Sequence, residues 1–158
     1  VKIHRLERSV TVPRPLEEVF PFFAEAANLE ELTPPWLAFE IVTPRPIEMA
    51  EGTLIDYRLR VRGIPMRWRS EITVWDPPHR FVDEQRKGPY RLWRHEHRFE
   101  ALSGTGDDHA TRVIDRVDYA VLFDLLVHPF VRRDVETIFD YRGERLRELF
   151  GVTTSATP

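Results

Sequence analysis

The feature that most constrains this chain is a change of period. Six successive segments between residues 36 and 121 place apolar side chains at every second position; from about Pro129 to Phe150 the spacing becomes helical. The six segments are 36–43, 53–62, 64–75, 80–86, 90–102 and 110–121, and turn signals separate the later ones: Gly63, Asp76-Pro77-Pro78, Gly88-Pro89 and the polar stretch Ser103–His109. An alternating run over residues 2–12 adds a seventh strand. Pro13-Arg14-Pro15 ends it and can open a helix carrying Leu16, Val19, Phe20 and Phe23, with Pro21 expected to kink or shorten that helix. A second short helix is expected over Asn28–Leu32, stopped by Pro34-Pro35. Strands joined by short turns pair antiparallel. The expected fold is therefore α+β: a seven-stranded antiparallel sheet, two short helices after the first strand, and a long C-terminal helix whose face Val131, Val135, Ile138, Arg142 and Leu149 share. A sheet that curls around such a helix leaves a cavity between the two.

The inward faces of that sheet are only partly apolar. Strand 53–62 turns Ile55, Tyr57, Leu59 and Val61 inward and Asp56, Arg58, Arg60 and Arg62 outward; strand 64–75 turns Met66, Trp68, Ser70, Ile72 and Val74 inward. The next two strands carry Phe81, Asp83 and Gln85 on one inward face and Trp93, His95, His97 and Phe99 on the other. Asp115 falls among Val113, Val117 and Tyr119 on the last strand. Polar groups turned inward are costly unless they find partners, so this row suggests a polar-lined pocket. Tyr57, Trp68, Trp93 and Tyr119 supply wall area, and Asp83, Gln85, His95, His97 and Asp115 supply hydrogen bonds to fix a ligand's orientation. Trp36, beside Pro34-Pro35, suits the mouth. The histidines also have a structural reading, in which they bond to Asp115, Asp83 or Gln85 across neighbouring strands. A His-x-His pair on one strand face with Asp83 or Asp115 can open a zinc site, but no metal and no cofactor is expected here. The cluster Arg58, Arg60, Arg62, Arg67 and Arg69 reads as a solvated outer face interleaved with Asp56 and Glu71.

Composition excludes several classes. The chain of 158 residues fits a single domain, 1–151, with a small polar tail, 152–158, expected to be disordered. A net charge of −3 argues against nucleic acid as a partner. No apolar run approaches the roughly 18 residues of a transmembrane segment. The chain has no cysteine, which removes disulfides, thiolate nucleophiles and cysteine-ligated metals and fits a cytoplasmic protein without a leader peptide. Walker, GxGxxG, nucleophile-elbow and HExxH motifs are all missing.

A series of fragments in order carries a family resemblance. These are Val12-Pro13 with Val19-Phe20, Asn28-Leu29 with Pro34-Pro35, Gly52-Thr53-Leu54-Ile55, Gly63-Ile64-Pro65 with Trp68, and Pro78-His79-Arg80-Phe81. Gly88-Pro89-Tyr90, Trp93-x-His95-x-His97-x-Phe99, Thr111-Arg112, Asp115-Arg116-Val117-x-Tyr119 and Tyr141-Arg142 complete it. In them the chain resembles the START-related helix-grip superfamily (SRPBCC), and within it the polyketide cyclase/dehydrase-like proteins. The resemblance implies a sheet gripping the C-terminal helix and a pocket for a hydrophobic or amphipathic small molecule. It implies no catalytic residue, since members share no catalytic motif. Binding or transport of a lipid, quinone or polyketide-like molecule is the expected function. A cyclase or dehydratase using His95 or His97 with Asp115 as an acid–base pair stays open, as does a protein-interaction module with a filled cavity and an unknown partner.

Overall fold

The computed structural model describes residues 1–102 and 109–151. The strands are β1 (His4–Val12), β2 (Glu40–Ile41), β3 (Leu54–Val61), β4 (Ile64–Asp76), β5 (Arg80–Lys87), β6 (Leu92–Leu102) and β7 (Ala110–Ala120); the helices are α1 (Leu16–Ala24) and α2 (Asp124–Phe150). All seven strands form one antiparallel sheet in the order β1-β7-β6-β5-β4-β3-β2. The first strand thus joins the last, and the rest follow as a meander. The loop over residues 103–108 and the tail over 152–158, for which a hairpin loop and disorder are expected, lie outside the described residues.

Four local expectations are corrected. The second helix is a single 3-10 turn at Ala26–Leu29. The expected strand 36–43 shrinks to Glu40–Ile41, because Pro34 and Pro35 start another 3-10 turn over Pro35–Leu37 and Ala38 leaves it in a left-handed conformation. The C-terminal helix begins at Asp124 and runs through Pro129. The parity of β4 changes along its length: its register with β5 skips between Ile72 and Val74, so Trp75, rather than Val74, packs with Phe20 and Phe81 at ring distances of 5.5 and 5.4 Å. A bulge of this kind bends the strand and increases its twist, which helps the sheet to curl.

Of three apolar clusters among the described residues, two lie beneath the helices. Under α1, Val19, Phe20 and Phe23 pack with Ile72, Phe81 and Phe99. Under α2, Val135 and Phe139 pack with Leu6, Trp93, Val117 and Tyr119. Gly143 sets how closely α2 approaches β1, since a Cβ there would lie 3.2 Å from Val10 Cγ2. That approach carries the next-door residue, Arg142, down against the sheet.

Candidate functional site: a cavity with a charged, hydrogen-bonded floor

Between the sheet and α2 lies a cavity of about 1170 Å³. Tyr57, Leu59, Met66, Trp68, Trp93 and Ile138 are among its wall residues, and the buried His95, His97 and Arg142 with the half-buried Asp83 form its polar end. At the other end are the β3–β4 hairpin, Pro89 and the start of α2. The hairpin turn is Arg62-Gly63, both with positive φ (50° and 80°), the geometry a two-residue turn requires. This turn swings Arg62 out of the outer arginine face and over the mouth, where its guanidinium forms a two-bond ion pair with Asp134 of α2 (3.0 and 2.9 Å) and sits 5.6 Å from the Phe130 ring. Elsewhere on that face Arg69 pairs with Asp56, as its solvated reading implies.

The floor is built by cross-strand register. Asp83 stands opposite His95, and His97 stands opposite Asp115. Each histidine nevertheless bonds the diagonal carboxylate: His97 Nε2 is 2.6 Å from Asp83 Oδ2, and His95 Nε2 is 2.8 Å from Asp115 Oδ1. The imidazoles stack at 3.6 Å, and Phe81 covers the other face of His97 at 4.0 Å. Arg142 locks the set from above, with Nε donating to Asp115 Oδ2 (3.0 Å) and Nη2 donating to His97 Nδ1 (3.2 Å).

Proton positions follow from this donor arithmetic. A guanidinium cannot accept, so His97 Nδ1 is the acceptor and the ring proton sits on Nε2, donated to Asp83. Burial, reinforced by His95 and Arg142, pushes the His97 pKa well below the ordinary histidine value, in keeping with a neutral ring. Burial also pulls Asp115 upward, but Arg142 and the His95 hydrogen bond outweigh it and hold Asp115 below the usual carboxylate range. Asp83 is pushed up by burial, against the pull of His95 and Arg142. The ionised Asp115 receives the proton on His95 Nε2. The other ring nitrogen, Nδ1, has no hydrogen-bond partner among the described residues and lies 3.8 Å from Asp83 Oδ2. A ring held by a carboxylate through one nitrogen and bare at the other can accept a proton or a hydrogen bond there. Asp83, His95 and His97 also bring metal-ligand atoms within 4.8 Å of one another. Their bonds to one another, to Asp115 and to Arg142 already occupy most of those atoms, and the guanidinium opposes a second cation beside His97.

Of the nine residues expected at a ligand site, Tyr57, Trp68, Asp83, Trp93, His95 and His97 line the cavity, and Gln85, Asp115 and Tyr119 do not. Gln85 spends both ends of its amide on the Tyr90 backbone (2.7 and 3.1 Å), closing the β5–β6 turn. Asp115 lies behind His95 and Arg142, and the Tyr119 hydroxyl shares a hydrogen bond with His128 Nε2. Trp36 lines the cavity and is 58% exposed, with its ring edge-on to Tyr141, the neighbour of Arg142 on α2. Sequence reasoning missed Arg142 as a site residue. The signal was an arginine on the apolar stripe of a helix, 5% exposed in the fold.

Residues 12–140 match the family model described as polyketide cyclase/dehydrase and lipid transport. The chain belongs to that family. Among solved structures it is similar to ginseng major latex-like protein 151 from Panax ginseng, with a TM-score of 0.65 and 12% identity over 94% of this chain and 97% of that one. It is similar also to the Zhui aromatase/cyclase of Streptomyces sp. R1128, with a TM-score of 0.64 and 19% identity over 94% and 96% of the two chains. A protein from Thermus thermophilus superimposes with a TM-score of 0.57 and 23% identity over 94% and 99%. At these identities the likeness shows the helix-grip fold and no more. A comparison with curated proteins finds no match. No described helix is long and apolar enough to cross a membrane.

Proposed function

We propose that this protein reversibly binds a mostly apolar small molecule with one polar end, a lipid, quinone or polyketide-like aromatic, with that end directed at Asp83 and His95. The observation that carries this reading is the division of one cavity into aromatic and aliphatic walls and a single polar end. Concave, largely apolar sites with a few fixed polar groups are what such ligands require. The family's description, which includes lipid transport, supports the ligand class. A cytoplasmic setting belongs to the same proposal and rests on the lack of cysteine. Native mass spectrometry of protein purified without detergent tests it. A co-purifying apolar molecule released by organic solvent is the expected result. A ligand-free protein that also fails to bind fatty acids, ubiquinone analogues and polycyclic aromatics would remove the proposal.

One observation favours a second reading, catalysis. His95 combines a carboxylate on Nε2 with a bare Nδ1 at the cavity wall. Such a ring can take a proton from the carbon beside a carbonyl as an aldol-type C–C bond forms and pass it to the resulting alkoxide; in the dehydration that follows it takes a second proton from that carbon and gives it to the departing hydroxyl, which leaves as water. Once a ligand is identified, His95→Gln should abolish any turnover while binding persists. Unchanged turnover in that variant ends the acid–base reading.

A further inference from the structure

A second constellation of ligating side chains lies away from the cavity floor. His4 opens β1, and Asp124 and His128 occupy the first turns of α2 at a spacing of four residues. Residues four apart on a helix share a face, and α2 lays that face over the start of β1. His4 Nε2 is 2.6 Å from Asp124 Oδ1, and the His4 and His128 rings stack at 3.4 Å with planes 6° apart. Each of the three side chains offers a ligand atom within 4.8 Å of those of the other two. All three are half-buried, so the set is shielded yet open to an ion from solvent.

From this geometry we infer that His4, Asp124 and His128 form a binding site for a divalent transition-metal ion of the zinc type. Two imidazoles and one carboxylate are a common zinc donor set that leaves the fourth tetrahedral position to water. Imidazole also disfavours calcium and magnesium, which select oxygen ligands. The Tyr119 hydroxyl, 3.1 Å from His128 Nε2, provides the outer partner that orients a metal-binding histidine. Entry of the ion requires the stacked rings to turn so that their lone pairs converge, and the 2.6 Å contact between His4 and Asp124 must open around the metal. The floor cluster is a poorer host, since Arg142 already bonds His97 Nδ1. A bound ion would tie the leading end of α2 to the sheet, directly beside the cavity residues Phe123, Leu126 and Val127.

The test uses tag-free protein and the metal alone. Titration with Zn²⁺ should show one tight equivalent per chain, and Co²⁺ should develop the visible absorption of a four-coordinate site. His128→Ala and the near-isosteric Asp124→Asn should each weaken binding by at least about tenfold, with circular dichroism confirming the fold. Tyr119→Phe keeps the ring and removes the outer partner, and should weaken binding by roughly tenfold as such partners do elsewhere. His97→Gln should bind Zn²⁺ as the wild type does. Absence of a tight equivalent would overturn the inference, and so would binding that survives Asp124→Asn and His128→Ala but is lost with His97→Gln.

Discussion

Replacing Arg142 by methionine isolates the one permanent cation of the cavity floor. Methionine keeps an unbranched apolar stem of similar reach, so the packing against Phe23 is largely retained; what is lost is the guanidinium. Asp115 then keeps only the His95 bond and His97 Nδ1 loses its donor. A hydrogen bond involving a charged group contributes about 1.5–3 kcal/mol, and breaking a buried ion pair by removing one partner costs about 3–5 kcal/mol. The expected loss for Arg142→Met is therefore about 3–5 kcal/mol, measured as the shift in unfolding free energy by urea titration at pH 7. That is a large share of the roughly 5–15 kcal/mol that holds a domain folded. The double variant Arg142→Met/Asp115→Asn has no uncompensated charge and should be more stable than Arg142→Met alone, giving a coupling energy of at least about 1 kcal/mol. The single variant should also recover part of its deficit as the pH falls, because protonating an unpaired buried Asp115 removes the charge that destabilises it. A cost below about 1 kcal/mol, with additive effects in the double variant, would refute the claim that the floor is one coupled network.

The contribution of His97 to the pH dependence has a defined sign, opposite to that of Asp83, whose pKa burial pushes up. His97 has a depressed pKa when folded, so the unfolded chain binds the extra proton below about pH 6.5; stability is complete above that value and declines as the pH falls beneath it, by up to about 1.4 kcal/mol per pH unit. Urea midpoints of the wild type and His97→Gln between pH 8 and pH 5 check this, and parallel profiles contradict it. At the mouth, Arg62→Ala removes a surface ion pair worth less than about 1 kcal/mol, so the thermal midpoint should barely move. The same change unfastens the β3–β4 hairpin from α2 and should speed dissociation of a bound fluorescent fatty acid severalfold in stopped flow. An unaltered rate would mean that the Arg62–Asp134 pair does not govern access.

Period and turn chemistry made the sheet and its final helix legible from the chain. The strand pairings that matter most, Asp83 with His95 and His97 with Asp115, follow once the order of strands is known. Four things were hidden, each for a physical reason. The β4 bulge shifts parity by one residue, and alternation alone cannot count a residue that the ladder skips. The first turn of α2 precedes Pro129, where a proline normally marks a start. Gln85 looked like a ligand group because alternation gives only a side of the sheet; its engagement with the Tyr90 backbone depends on how tightly the Gly88-Pro89 turn folds back. Arg142 belongs with these. Its helix face was readable, but its partners lie 27 and 45 residues away in the chain and become its neighbours only through packing.

The bulge in β4 has one more consequence. Met66, Trp68 and Ser70 border the cavity, while Ile72 and Trp75 belong to the closed cluster beneath α1. One strand thus serves two masters, and the skipped residue marks the frontier between them. Sequence changes on its leading half reshape the cavity wall and so what the protein accepts. Changes past residue 73 strike the architecture itself. A protein built this way can drift toward new ligands along one half of a strand while the other half holds still.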